Sequence, residues 1–267
     1  MIKIYETAQF VRDSKPLIHC ITNPISINWC ANAILALGAR PIMAEHPEEV
    51  EEITQTADAL MLNLGNITEA RMKSILISAK IAKKKGIPVI LDAVGIACSL
   101  LRRKYTVEFL KEVIPNAIKG NYSEIKALYS ESYRSVGVDA DCTLETDDIK
   151  NIVLVLAKKY NTVILATGKE DIISDGTRVY ICKNGCGQLS EVTGSGCILG
   201  AICSSFMSVN NSVEAVVASA VYFGICGELS KNERGSGTYM INLIDNLSNI
   251  KIDDIEKLVD VEVNEID

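Results

Sequence analysis

The chain of 267 residues carries 27 basic against 34 acidic side chains, a formal net charge of −7, and is 48% hydrophobic and 23% charged. That balance excludes a disordered or fibrous chain and argues against a broad nucleic-acid footprint, while the length is enough for one large core. Nine cysteines without a CxxC pair suggest neither a disulfide framework nor a zinc ribbon, the start MIKIYETAQF lacks a signal-peptide layout, and the longest apolar stretch, Ala215 to Cys226, is too short for a bilayer, so the expectation is a cytoplasmic protein with reduced thiols and no membrane partner.

From the amino terminus, short β-branched runs alternate with longer stretches of helical spacing. The apolar runs Leu17–Ile21, Pro41–Ala44, Ala59–Leu64, Ile87–Val94, Ala117–Lys119 and Thr162–Ala166 predict buried strands. Between them Ser26–Leu37, Pro47–Ala57, Thr68–Lys85, Val107–Ile114, Ser123–Tyr129 and Asp147–Lys159 predict helices. This alternation calls for a parallel sheet with helices on both faces, an α/β fold. Pro47 ahead of Glu48, Glu49, Glu51 and Glu52 predicts a helix start with acids at the positive end of the dipole. Lys83 to Lys85 and then Gly86 predict a basic last turn and a glycine cap, and the lysines themselves read as a solvated face. Beyond Gly168, Asp171–Ser174 and Arg178–Cys182 about the turn Asp175–Gly176 predict a short antiparallel addition at the sheet edge. A glycine-rich segment (Asn184–Gly196) and a mainly helical tail from Cys197 complete the chain. Ser130–Glu145 is its most polar loop, and no linker divides it, so residues 1–267 are read as one domain.

The most informative stretch is Val192-Thr193-Gly194-Ser195-Gly196-Cys197 ahead of an apolar helix. Its glycines let backbone approach a ligand, and the helix start points N–H groups at it, which makes an anion cradle or, more plainly, a glycine-rich connection. No Lys-Ser/Thr follows the last glycine, so this is no Walker A loop. Cys197 at the helix start is expected to have its thiol pKa lowered by the dipole. Asp92 closes a predicted strand, where a carboxylate faces a ligand site or caps a turn. In Lys119-Gly120-Asn121-Tyr122-Ser123-Glu124 the lysine suits a phosphate and the glutamate a hydrated Mg²⁺, or else they are a surface lysine and a first-turn acid. Thr167-Gly168 ends another strand and either bonds a nucleotide phosphate or stops the strand. His19-Cys20-Ile21-Thr22-Asn23-Pro24 leaves the first strand with a polar cluster, in which His19 reads as a satisfied core histidine. Asn28 and Asn32 share one helix face. Met43 either lines an apolar pocket or fills the core, and Cys182-x₃-Cys186 lacks the further ligands a zinc site needs.

In order and content these segments resemble the hydroxyethylthiazole kinase family, ribokinase-like enzymes of thiamine salvage. The resemblance runs through His19–Asn23, Ala31-Asn32, Gly38–Ala44, Pro47–Val50, Leu62-Asn63-Leu64-Gly65, Leu91-Asp92, Gly120-Asn121-x-Ser123-Glu124, Thr167-Gly168 and Val192–Cys197, nearly the whole chain before about Ile250. It implies a three-layer ribokinase-like fold and ATP- and Mg²⁺-dependent phosphorylation of the primary alcohol of 4-methyl-5-(2-hydroxyethyl)thiazole. It also implies a homotrimer with sites at subunit boundaries. Met43 and Gly194 would contact substrate, with Asn23 and Gly65 beside them. Lys119, Thr167 and Asn121 would bind ATP, and Asp92 and Glu124 would lie at the metal. Gly194, Ser195, Gly196 and Cys197 would form the anion hole, Cys197 standing where most ribokinase-like enzymes have an aspartate base.

The chain departs from the family pattern at Ala93 for proline, at Gly95-Ile96-Ala97-Cys98, at Asn66 for threonine and at Lys119 for arginine, the last losing a bidentate fork. The rival readings are a hydroxymethylpyrimidine or pyridoxal kinase, an ATP-dependent hydro-lyase of the same superfold, or a non-catalytic ligand binder. The rival enzymes tend to end their anion loops in Gly-Asp, against which Cys197 speaks.

Overall fold

Buried aliphatic strands without polar interruptions form the middle of a parallel sheet, because both faces are covered. The computed structural model describes residues 2–135 and 146–265. Its strands are β1 (Leu17–Ile21), β2 (Arg40–Ile42), β3 (Ala59–Asn63), β4 (Val89–Asp92), β5 (Ala117–Asn121), β6 (Val163–Thr167), β7 (Asp171–Ser174), β8 (Arg178–Cys182) and β9 (Val261–Glu265). They make one nine-stranded sheet in the order β2-β1-β3-β4-β5-β6-β7-β8-β9. Pairing is parallel from β2 to β6 and antiparallel from β6 to β9.

The helices are α1 (Ile4–Ser14), α2 (Ile27–Ala36), α3 (Val50–Thr56), α4 (Glu69–Lys85), α5 (Leu100–Glu112), α6 (Tyr122–Tyr129), α7 (Thr146–Tyr160), α8 (Ser195–Met207), α9 (Val213–Leu229), α10 (Ser236–Asn249) and α11 (Ile252–Leu258). Side chains alternate across each strand and so feed two cores. Ala59 and Met61 of β3 pack with α1, α2 and α8 to α11, whereas Leu60 and Leu62 pack with α3 to α7. The result is the expected three-layer α/β architecture with an antiparallel edge.

Local signals account for several element ends. Gly86 caps α4 in the left-handed region (φ 80°), and Ser99 caps α5 by accepting from the Arg102 N–H. That cap shows why the helix predicted from Val107 starts seven residues earlier, its first turn hidden by the exposed Leu100 and Leu101. The helix predicted from Pro47 starts at Val50, since the His46 carbonyl closes a turn through the Glu49 and Val50 N–H groups first. α1 has no counterpart among the predicted elements. The tail expected to be mainly helical ends instead in β9, which pairs Val261 with Cys182 and Glu265 with Arg178. Ser130–Glu145 lies partly outside the described residues. Ala215–Cys226 lies within α9, and no helix among the described residues is long and apolar enough to cross a membrane.

Candidate active site

Parallel pairing brings the carboxyl ends of β1 to β6 to one edge of the sheet, and the register aligns their polar residues. Asn63 stands opposite Asp92, Asp92 opposite Lys119, and Asn121 opposite Thr167. Polar groups expelled from the apolar middle of each strand thus meet outside the carboxyl ends, the usual binding place of open α/β sheets.

Over this edge comes the start of α8. Gly194 is its N-cap at φ 87°, a conformation that a side chain resists, and a Cβ there would lie 3.1 Å from the Ser26 Cβ. The first intrahelical bond runs from Ile198 N to Gly194 O at 2.9 Å, so the N–H groups of Ser195, Gly196 and Cys197 are left unused by the helix. A Cβ on Gly196 would sit 3.4 Å from Lys119 Nζ, which places the ammonium against this turn. Free amides, the positive end of a 13-residue helix and a buried cation form a cradle for an anion.

Beneath the turn lies a buried polar network. Lys119 Nζ donates to Asp92 Oδ1 at 3.0 Å, and Asn63 Nδ2 donates to Asp92 Oδ2 at 2.9 Å. Asn23 Nδ2 donates to Asn63 Oδ1 at 3.0 Å, and the two amides reach Cys197 Sγ at 3.4 and 3.3 Å. Burial alone would lower the Lys119 pKa, but Asp92, Cys197 and Glu124 together carry it upward, so the ammonium is held charged. Burial pushes the Asp92 carboxyl up, and Lys119 and Asn63 pull it back.

The thiol corrects one expectation. Burial first and the Asp92 charge second push Cys197 up, and the Ser26 and Asn23 hydrogen bonds and Lys119 do not reverse this. The low thiol pKa expected from the helix start is therefore overturned: the sulfur is enclosed, and an anion already stands beside it.

Glu124 is buried and fully engaged, Oε1 accepting from Gly95 N at 2.6 Å and Oε2 from Asn121 N at 2.7 Å, while Asn121 Oδ1 accepts from Glu124 N to complete a capping box. Burial, then Asp92, push its carboxyl up to about 7. Two like-charged carboxyls at one strand edge are the donor set a hydrated divalent cation shared with phosphates would relieve. They are not a protein cage, and no group of three His, Cys, Asp or Glu among the described residues could hold a metal alone.

Thr167 closes β6, its hydroxyl donating to Gly120 O at 3.4 Å. Met43 follows the end of β2, half-buried against the core of the α8 side. His19 is the satisfied core histidine expected, paired through Nδ1 with Thr54 Oγ1 and through Nε2 with Ala44 O, and burial lowers its pKa. Asn32 donates to Asn28 on an exposed face, away from this network.

Two residues that residue-by-residue reading missed stand out. Asn63 was visible only as part of Leu62-Asn63-Leu64-Gly65, although an amide ending a wholly apolar strand is the signal that marks it. Arg71, buried in the first turn of α4, donates to Glu45 at 2.9 Å, Gly65 O at 3.0 Å and Asn66 O at 2.6 Å, joining the loops after β2 and β3. Nothing in its local sequence separates it from the surface residues around it.

Comparison with known proteins adds a consistent set of likenesses. A sequence model of the hydroxyethylthiazole kinase family matches residues 8–253. Hydroxyethylthiazole kinase 2 of Clostridium botulinum (strain Kyoto / Type A2) is 49% identical over 256 residues, 94% of this chain and 97% of that protein. Hydroxyethylthiazole kinase of Finegoldia magna is 40% identical over 97% of this chain and 96% of its own length. The solved structure of the Pyrococcus horikoshii OT3 hydroxyethylthiazole kinase protein superposes with a TM-score of 0.91 at 33% identity, covering 99% of this chain and all of that one. The ADP complex of Staphylococcus aureus pyridoxal kinase, at 14% identity and a TM-score of 0.67 over 94% of this chain and 99% of that one, shares the fold.

Proposed function

The chain belongs to the hydroxyethylthiazole kinase family, and from that premise we propose how its residues divide the work of phosphoryl transfer. It is an ATP-dependent kinase that passes the γ-phosphoryl group of ATP to the primary alcohol of 4-methyl-5-(2-hydroxyethyl)thiazole in thiamine salvage. Phosphoryl transfer runs through a loose transition state, so catalysis rests on position and charge.

The amides of Ser195, Gly196 and Cys197, with Gly194 shaping the turn, hold the transferring phosphoryl oxygens. Lys119 adds a fixed cation on the nucleotide side, where Asn121 and Thr167 hold ATP. Met43, Asn23, Gly65 and Gly194 take the thiazole side. Asp92 and Glu124 would hold a hydrated divalent ion, which we assign as Mg²⁺, and that ion when bound offsets charge on the phosphates. Cys197 takes the alcohol proton late in transfer. It does so as the thiolate, and because burial pushes the thiol pKa up, only a small fraction of the protein carries that form at neutral pH.

One observation carries the reading: three unused helix amides, the Lys119 ammonium and the Cys197 sulfur converge outside the carboxyl ends of β3, β4 and β5. We read the whole chain as one kinase domain on the strength of its continuous sheet. A cytoplasmic location accords with the eight described cysteines being free thiols. A homotrimer with the site at a subunit boundary accords with Ile25, 62% exposed two residues from Asn23, a place a neighbouring subunit would cover.

The test is turnover of the purified protein with ATP, Mg²⁺ and the thiazole alcohol, read as ADP release and phosphorylated thiazole by mass, with the hydroxymethyl pyrimidine as comparison. Thiazole phosphate is the expected product. Its absence under saturating substrates, or preference for the pyrimidine, overturns the assignment. Cys197→Ala should lower kcat by about a hundred-fold, the low end of general-base help, while ATP still binds. Wild-type kcat in that variant removes Cys197 as the base.

A further inference from the structure

The two amides at the Cys197 sulfur are not free to turn, and their fixed sense constrains the chemistry. Asn23 Oδ1 accepts from the backbone N–H groups of Ile25 at 3.1 Å and Ser26 at 3.2 Å, so its Nδ2 must face the other way. Asn63 Oδ1 accepts from Gly65 N at 2.8 Å and from Asn23 Nδ2 at 3.0 Å. Turning Asn63 over would set its oxygen against the Asp92 carboxylate and its NH₂ against the Gly65 N–H. Three backbone N–H groups and one carboxylate therefore fix both amides.

With that sense fixed, the donors are fully spent. The two Asn63 N–H bonds go to Asp92 Oδ2 at 2.9 Å and Cys197 Sγ at 3.3 Å, and those of Asn23 go to Asn63 Oδ1 and Cys197 Sγ at 3.4 Å. The sulfur receives two N–H donors and is an acceptor on that side. A buried network with every member satisfied has one arrangement, and disturbing one member moves the rest.

We propose that Asn63 is a positioning residue for phosphoryl transfer, the one amide that fixes the Asp92 carboxylate and the Cys197 sulfur in a single geometry, with Asn23 as its backstop. This rests on Asp92 and Cys197 being working parts of the kinase site. Asn63 itself touches no reacting atom and acts through those two.

Asn63→Asp and Asn63→Ala together isolate the effect. Both remove the Nδ2 donor; the first keeps the acceptor for Gly65, and the second adds no charge beside Asp92. In both, kcat should fall about ten-fold or more while KM for ATP and for the thiazole alcohol stays within about three-fold. In a cycle with Cys197→Ala, the combined loss should fall short of the product of the single losses by about ten-fold. Thermal unfolding is followed alongside. Asn23→Ser, whose hydroxyl can still accept the Ile25 and Ser26 N–H groups, replaces in the cycle any Asn63 variant that does not fold. A kcat within about three-fold of wild type, a loss confined to KM, or strictly multiplicative losses overturns the proposal. Turnover of the thiazole alcohol by the wild-type protein is read separately, so failure here leaves the kinase assignment standing.

Discussion

Two lysine–carboxylate pairs lie at opposite places in the sheet and behave differently. Lys119 and Asp92, at the carboxyl ends of β5 and β4, keep 4% and 1% of their side chains exposed. Lys183 and Glu262, just beyond β8 and within β9, pair at the antiparallel edge with 32% and 54% exposed. Burying two charges is costly unless geometry and further hydrogen bonds offset the lost water. The inner pair has both: a 3.0 Å contact, and Asn63 on the second Asp92 oxygen. The edge pair needs none of this, because backbone hydrogen bonds between β8 and β9 already hold that strand. Of these two pairs, the one at the proposed anion site is sunk into the protein and the one at the edge stays in water.

Breaking the inner pair gives the largest effect. Lys119→Met strands Asp92 in the core and should lower stability by about 3–5 kcal/mol, seen as a fall in the urea midpoint at unchanged m-value. Turnover should fall on the order of a hundred- to a thousand-fold with loss of the cation proposed to face the phosphoryl group. A stable, active Lys119→Met protein would mean that the pair is neither structural nor catalytic.

Gly65→Ala is next. A Cβ there would meet Asn23 Nδ2 and Asn63 Oδ1, both at 2.8 Å, and would pry apart the bond between those amides. Overpacking of this kind costs about 1–3 kcal/mol, so a midpoint lower by roughly 2–10 °C is expected in a scan, with a larger relative loss of kcat. A variant with unchanged kcat would show that the amides tolerate displacement.

The contrast between the two regions also explains what could be read from the sequence. The strands of the parallel core were legible because each is an apolar run buried on both faces, and Asp92, Lys119 and Thr167 were found as polar residues at their ends. The pairing of Lys119 with Asp92 was not legible, since it depends on the register of β4 against β5. Asn63 stayed hidden for the same reason: its meaning comes from Asp92 beside it in the sheet and Asn23 across it. The expected low thiol pKa failed because a helix start is visible in sequence and the enclosure of Cys197 is not. β9 escaped notice because alternation in an acidic tail is a weak signal until β8 supplies a template.

Glu124 sharpens the comparison through pH. In the folded chain it holds its proton up to about pH 7, against an ordinary value of 4.5. Between those limits the folded state binds more protons than the unfolded one, so raising the pH through this window lowers stability. The effect is on the order of 3 kcal/mol in full. Wild-type unfolding midpoints should therefore decline from about pH 5 to pH 7.5 beyond the trend of Glu124→Gln, which cannot titrate there. Parallel pH trends in the two proteins would remove Glu124 as the source. Added Mg²⁺ and nucleotide should favour the carboxylate and flatten the wild-type decline.

The smallest effect belongs to the edge. Lys183→Ala removes the partner of Glu262 from a pair open to solvent, where screening and side-chain freedom leave little net gain. β9 keeps its ladder to β8 through five paired positions, from Arg178 with Glu265 to Cys182 with Val261, and the Lys183 N–H still donates to Asp260 O at 3.0 Å, a bond the substitution leaves in place. The unfolding midpoint of Lys183→Ala should match that of the wild type, and should do so equally in low salt and in about 1 M salt, where an exposed pair is screened. Hydrogen exchange at β9 amides gives the finer reading: protection that survives the substitution means the backbone holds the edge. Protection lost in Lys183→Ala, or lost from the wild type in high salt, would mean that an exposed ion pair holds this strand after all, and the division between buried and solvated charge drawn from the two lysines would fail at the edge.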